Sequence, residues 1–443
     1  MKEWSALSWQ GFSYEQAAKY PDENQLIRVV DQLSQLPPLV TSGEVKNLKK
    51  SIAKAGRGEA FILQGGDCAE SFNDCRSEVI SAKLKILLQM SLILIHGLRK
   101  PIVRIGRIAG QYAKPRSSDF ETIDGVTLPS YRGDLVNSQQ FDALSRTPNP
   151  KLMLQGYSCA AMTLNFIRAL LNGGFADLNY PHRWDLRFVE HSPQAEEYHA
   201  IVSSLGDSLD FIEAIDGYRS SNLNKVDFYT SHEALHLHYE QALTRQVKDG
   251  LWYDLSTHLP WIGMRTAKVK SAHLEFLRGV QNPIGIKVGA SATKEWVQEI
   301  LEIINPNREE GRVLLITRLG AKDIKTLLPP LIKAVQETKC PVTWSCDPMH
   351  GNTETTADGY KTRHFDNILF ELQQAVQIHQ KMSSYLGGVH FELTGDNVTE
   401  CIGGARGLNE EDLKRAYRSL VDPRLNYEQS LEMAIQLSKQ FNS

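Results

Sequence analysis

The sequence predicts an α/β fold: a (β/α)8 barrel of the TIM type, with an N-terminal helical extension and a long insertion between strands 2 and 3. Three observations carry this reading. Eight short runs rich in β-branched and aromatic residues each stop in a charged, thiol or imidazole side chain. From the third run onward, segments with apolar residues at helical spacing separate one run from the next. A length of 443 residues accommodates such a barrel with insertions. In a closed parallel barrel the C-terminal strand ends meet at one mouth, so the polar side chains closing the eight runs are expected to share one site.

Taken in order, residues 1–60 form the extension. A helix over Asp22–Leu36 is broken by Pro37-Pro38, and a basic helix resumes over Glu44–Ala55. Strand 1 is read at Phe61–Gln64, and the Gly65-Gly66 pair after it permits a tight turn that presents Asp67, Cys68 and Glu70. The helix Val79–Leu98 leads to strand 2 at Val103–Arg107. The interval from about 108 to 225 is too long for a plain connection and reads as an insertion. It holds a polar loop over Ala113–Asn137, a helix at Ala160–Leu171 and a helical pair around Pro193–Ile215. The remaining strands are read at Phe228–Glu233, Trp261–Arg265, Ile284–Gly289, Val313–Gly320, within Pro341–Thr353, and at Val389–Gly395. Helices are expected near His236–Gln246, Thr293–Ile304, Lys322–Glu337, Asp366–Met382 and Glu410–Tyr417. With no repeat, low-complexity tract or linker, residues 1–443 read as one domain.

Composition narrows the classes. Apolar content of 42%, charged content of 23% and a net charge of −3 give no global attraction to nucleic acid or anionic membrane, so anion binding must be local. Six cysteines without paired spacing suit a reducing compartment. The opening MKEWSALSWQGFSYEQ lacks the apolar core of a signal peptide, and the expected location is cytoplasmic. The most apolar stretch, Ile86–Leu98, is shorter than the roughly 20 residues of a membrane span and reads as a buried barrel helix.

Two sets of residues point to chemistry. Cys68, His350, Glu392 and Asp422 offer thiolate, imidazole and two carboxylates, a mixed donor set that suits a borderline divalent ion. Singly, Cys68 reads as a buried small hydrophobe and the others as turn or capping residues; jointly, at strand ends, they read as a metal site. Arg107, Arg265, Lys287 and Arg318 close different apolar runs, with Lys114 and Arg116 in the loop after the second. Cations at such positions are costly in a dry core unless an anion meets them, and phosphate or carboxylate matches a guanidinium fork. His232-Glu233-Ala234-Leu235-His236 matches the zinc-protease pattern, with His238 close behind. That chemistry needs both histidines on one helical face, and here the first two residues directly follow Val226–Thr230, which reads as a strand. Arg132-Gly133-Asp134 reads as a solvated loop.

The motifs GGDCAESF (65–72), RIGRIAGQYAKPRSS (104–118), TSHEAL (230–235), WIGMRT (261–266), NPIGIKVG (282–289), ITRLGA (316–321), CDPMHGNT (346–353), GGVHFELTGDNVTECIGG (387–404) and DPRLN (422–426) resemble, in order and over nearly the whole chain, those of type II 3-deoxy-D-arabino-heptulosonate 7-phosphate (DAHP) synthases. The resemblance implies a metal-dependent condensation of phosphoenolpyruvate with erythrose 4-phosphate. Cys68, His350, Glu392 and Asp422 match its metal ligands; the ion would be Mn2+ or Co2+, with Zn2+ or Fe2+ also compatible. Arg107 and Lys287 match residues around the phosphoenolpyruvate carboxylate and reacting carbons. Arg265, Lys287 and Arg318 match the phosphate clamp, and Lys114, Arg116 and Ser117 the erythrose 4-phosphate site. Arg107, Lys114, Lys287 and His350 are the implied catalytic set. The resemblance also implies a homo-oligomer, dimer or tetramer, with aromatic amino acid effectors or a chorismate mutase partner. One departure is Met264, where the family pattern expects Glu. Two other readings compete: a related barrel using a different phosphosugar, and a catalytically silent scaffold that tunes a chorismate mutase.

Overall fold

The computed structural model describes residues 3–173 and 227–441, with scattered positions between 196 and 207. Eight parallel strands close a barrel: β1 (Phe61–Gly66), β2 (Ile102–Arg107), β3 (Phe228–Glu233), β4 (Leu259–Ile262), β5 (Ile284–Gly289), β6 (Val313–Arg318), β7 (Thr343–Cys346) and β8 (Leu386–Glu392). Each pairs with its neighbours in sequence order, and β1 closes on β8 with Gly66 opposite Glu392. That register matters, because it sets Cys68 two residues beyond a position level with Glu392.

The strands are buried on both faces, and their period of two divides them into an inner and an outer set. Outward residues such as Phe61, Leu63, Ile284, Ile286, Val313, Leu315 and Phe391 join the main core against the helices. Inward residues near the strand starts, Ile62, Val103, Tyr229, Leu259 and Leu314, pack with Leu48, Ile52 and Ala55 of helix α2 (Ser42–Gly56). The extension therefore plugs one end of the barrel. Helix α1 (Glu23–Ser34) precedes it. Helix α2 begins where the sequence dictates: Thr41 Oγ1 accepts the Glu44 N–H at 3.2 Å, and the Glu44 carboxylate accepts the Thr41 N–H at 2.8 Å. Its apolar positions Val45, Leu48, Ile52 and Ala55 then fall on one face.

Outside the strands lie α3 (Ser77–Leu98), α4 (Leu152–Asn172), α5 (Leu237–Leu243), α6 (Ala272–Gly279), α7 (Lys294–Ile304), α8 (Ile324–Thr338), α9 (Phe365–Lys381) and α10 (Tyr427–Gln440). Helix α3 is long and apolar enough for a membrane span by length and composition, but most of it is buried in the core. Between β2 and β3 the described residues hold a two-stranded hairpin (Phe120–Ile123 with Val126–Pro129) and α4. The helical pair expected around Pro193–Ile215 falls almost wholly outside the described residues.

Several expectations are corrected. Strand 4 ends at Ile262, so Arg265 is not a strand-end residue; Gly263 O accepts the Thr266 and Ala267 N–H groups and turns the chain first. The helix expected over His236–Gln246 stops at Leu243, because Thr244–Gln246 pairs antiparallel with Trp252–Asp254. Glu410–Lys414 is a short 3-10 turn rather than a helix running to Tyr417. Helix α10 was not expected; Asn426 and Gln429 start it with a reciprocal cap, and its apolar face joins the core. The Arg132-Gly133-Asp134 loop is not solvated: Arg132 is buried, and Asp134 accepts the Phe72 N–H at 2.8 Å and the Tyr131 hydroxyl at 2.6 Å.

Candidate active site and metal cage

At the open end of the barrel, Cys68, His350, Glu392 and Asp422 each offer one donor atom, and these four atoms lie within 4.8 Å of one another. Glu392 ends β8, Cys68 follows β1 and His350 follows β7. Gly66 makes the β1 turn feasible: its φ is +145°, and a Cβ there would stand 2.6 Å from Arg107 O. Asp422 arrives on the irregular segment before α10. His350 Nε2 lies 3.0 Å from Glu392 Oε1 and Cys68 Sγ 3.5 Å from Asp422 Oδ2. His350 Nδ1 is 2.7 Å from Asp347 Oδ2. That contact orients the ring so that Nε2 faces the cage.

Cations brace this cluster. Arg363, fully buried, pairs with Glu392 at 2.8 Å, and Arg107 reaches the other Glu392 oxygen at 3.1 Å. Lys114 Nζ is 2.8 Å from both Cys68 Sγ and Asp422 Oδ2, and Lys361 is 3.0 Å from Asp422 Oδ1. Burial resists ionisation of Glu392, but His350, Arg363 and Arg107 outweigh it and hold the carboxyl well below its usual range. Asp422 is held low in the same way, burial being overcome by Lys114 first. Burial, with Glu392 adding, pushes the Cys68 thiol up to about 12. A thiolate therefore forms at neutral pH only when a stronger cation joins the cage. Soft sulfur, imidazole and two ionised carboxylates are a fitting donor set for a borderline divalent ion.

Beside the cage a pocket is lined by Arg107, Gln111, Lys114, Glu233, Trp261, Met264, Arg265, Lys287 and Arg318. Lys287, buried in the barrel interior, bonds Asp347, and its pKa is pushed down to about 8 by burial, against the pull of Asp347. Arg107 donates to His390 Nε2 at 2.7 Å; His390 is held neutral by burial, so its proton sits on Nδ1. Arg107 and Lys287 both approach the Trp261 ring, at 5.3 and 6.0 Å from its centroid. Arg318 donates to His350 O at 3.1 Å.

The sequence-predicted residues thus divide. The four cage residues meet, and Arg107, Lys114, Arg265, Lys287 and Arg318 line one pocket. Arg116 and Ser117 do not line it: Arg116 is 3.5 Å from Glu121 and Ser117 is exposed on the rim. Met264 lines the wall, with its methyl carbon 3.0 Å from where a Gly289 Cβ would stand. The protease pattern dissolves: His232 Nε2 bonds Glu240 at 2.9 Å, while His236 precedes α5 and bonds Tyr20.

Sequence reasoning placed Glu233 among the side chains closing the eight runs but gave it no role in the pocket. It ends β3, where the strand-end rule expects it. Its Oε1 is buried without a hydrogen-bond partner, and burial raises its pKa despite Lys287, Arg107 and Arg265. Arg363 was missed too, because nothing local marks a cation whose partner is a distant strand end.

The comparisons with known proteins agree over nearly the full length. The model of the class-II DAHP synthetase family matches residues 4–438. The chain belongs to that family. It is 44% identical to the phospho-2-dehydro-3-deoxyheptonate aldolase of Neurospora crassa, over 97% of this chain and 93% of that protein. It is 44% identical to the protein of the same name from Streptomyces coelicolor, over 98% and 96%. It is 43% identical to the phospho-2-dehydro-3-deoxyheptonate aldolase AroG of Mycolicibacterium smegmatis, over 94% and 89%. The silent-scaffold reading is not favoured by this match.

Proposed function

We propose that cage and pocket together carry the DAHP synthase reaction. C3 of phosphoenolpyruvate bonds to the aldehyde carbon of erythrose 4-phosphate, water adds at C2, and inorganic phosphate departs with C–O cleavage to leave DAHP. The observation that supports this most is the convergence of four donors beside a pocket lined by five cations. Cys68, His350, Glu392 and Asp422 would hold the divalent ion, Mn2+ or Co2+ first and Zn2+ or Fe2+ by the same donor chemistry. That ion supplies Lewis acidity toward an aldehyde oxygen.

The chain's own residues do the rest. Lys287, Arg318 and Arg265 take the phosphate of phosphoenolpyruvate, with Arg107 and Lys287 on its carboxylate. Lys114, on the cage side of the pocket, donates to the developing alkoxide. Glu233 is a carboxyl of raised pKa beside these groups and is suited to take the proton of the water adding at C2. Trp261 backs the cations and keeps bulk water from that wall. Holding two anionic substrates in register contributes up to roughly 7–11 kcal/mol of barrier lowering. Arg116 and Ser117 receive the erythrose 4-phosphate end at the rim. On the family resemblance we also read residues 1–443 as one cytoplasmic catalytic unit. On the same ground it forms a dimer or tetramer and is open to aromatic amino acid effectors or a chorismate mutase partner.

The test is phosphoenolpyruvate loss and phosphate release with erythrose 4-phosphate, with Mn2+ or Co2+ and with a chelator. Metal-dependent loss of both substrates is expected. Turnover with a different phosphosugar alone would replace the second substrate, and no turnover in any metal would overturn the reading.

A further inference from the structure

Asp422 is supported differently from the other cage donors. Cys68 and Glu392 stand at or just beyond paired strand ends, and His350 is pinned by Asp347. Asp422 instead rides on the irregular segment Arg418–Arg424, which belongs to no strand or helix. One fully buried carboxylate holds that segment. Glu400 accepts the backbone N–H groups of Arg418 at 3.2 Å, Ser419 at 2.8 Å and Arg424 at 2.8 Å. It also takes two bonds from the Arg424 guanidinium, Nε at 3.0 Å and Nη2 at 2.8 Å. The third nitrogen of that guanidinium, Nη1, reaches Asp67 Oδ1 at 2.7 Å. Asp67 is the residue before Cys68, is itself fully buried, and pairs on its other oxygen with Lys83 of α3.

One guanidinium fork therefore bolts together the two segments that carry Cys68 and Asp422. Five N–H groups on one carboxylate saturate its acceptor sites; an amide of the same shape loses one oxygen and brings two N–H groups into a place already full of donors. Neither Glu400 nor Arg424 lines the cation pocket. We infer that Glu400, Arg424 and Asp67 act as a positioning unit that fixes the separation of Cys68 and Asp422, and through it the affinity of the cage for its divalent ion. Charged partners behind metal ligands orient them, and their loss weakens metal binding without touching the ligands themselves.

This inference rests on Cys68, His350, Glu392 and Asp422 being the metal ligands, and its test separates the two claims. The dissociation constant for Mn2+ or Co2+ is measured on the full chain by competition with a fluorescent chelator, with no turnover required. Glu400→Gln should weaken binding on the order of 10–100-fold. The KM for phosphoenolpyruvate should stay unchanged, and kcat should recover as metal is raised. Unaltered metal affinity, or a rate that excess metal does not restore, overturns the inference. Arg424→Lys, which keeps the charge and loses the fork, carries the same expectation and the same overturning result should the first variant not fold. Asp422→Asn is measured alongside. If it leaves metal affinity untouched, the ligand assignment falls and takes the inference with it; if it weakens affinity while Glu400→Gln does not, the positioning unit alone is removed.

Discussion

The two halves of the barrel mouth hold their charges in opposite ways. On the side of β1, β7 and β8, both cage carboxylates already have cations at hydrogen-bond distance: Arg363 and Arg107 on Glu392, Lys114 and Lys361 on Asp422. On the side of β4, β5 and β6, Lys287 has Asp347, but among the described residues Arg265 and Arg318 form no ion pair with a carboxylate. The first half is pre-organised, its donors fixed before any ligand arrives. The second keeps positive charge in reserve for an anion, which is what a phosphate clamp requires. Asp347 joins the halves, since one of its oxygens serves both Lys287 and His350.

That contrast can be broken at its strongest point first. Cys68→Ser replaces the soft donor, and metal affinity and rate should fall together by more than the roughly 10–100-fold typical of losing a residue behind a ligand. An unchanged metal requirement in titrations would remove the thiol from the cage. Lys287→Met attacks the other half: kcat/KM for phosphoenolpyruvate should fall by about 3 kcal/mol, or some hundredfold, as a buried charged partner is lost. Metal affinity by chelator competition should hold; if it falls equally, the halves are not separable.

A pH profile sharpens the same point. Lys287 must be protonated to bind an anion, and its pKa of about 8 lies below the ordinary lysine value. The clamp is therefore intact below about pH 8 and is lost as pH rises through it, so kcat/KM for phosphoenolpyruvate should decline by up to about tenfold per pH unit above that point. A flat profile up to pH 10 in initial-rate measurements would mean that Lys287 is not part of the clamp. The smallest effect is expected at the rim. Arg116→Ala should raise the KM for erythrose 4-phosphate by about 1 kcal/mol, since the side chain is half-exposed and shared with Glu121. A selective effect on phosphoenolpyruvate would show that the two phosphate positions are exchanged.

Much of this mouth was legible beforehand because a strand end is a local event. A β-branched run that stops in Cys, His, Glu or Lys announces both the strand and the direction of its last side chain, and the run Ile284–Gly289 coincides with β5. What was illegible depends on long-range partners. The turn that ends β4 before Arg265 follows from Gly263 bonding onward, and Arg132-Gly133-Asp134 is buried because Ser71 and Phe72 lie across from it. Glu400 looks like any acid in a polar stretch; only the folded segment gathers five donors around it. Glu233 was visible, but a familiar pentad drew it into the wrong company.

Helix α2 seals the far end of the barrel with Leu48, Ile52 and Ala55. A tube with one door imposes a queue. On the proposed reading, the anion held at Lys287, inside the barrel, is expected to enter before the one held near Lys114, and to depart after it. On the proposed reading, sequential addition is the expected outcome of initial-rate measurements with both substrates varied, and the stopper is its cause as much as the chemistry.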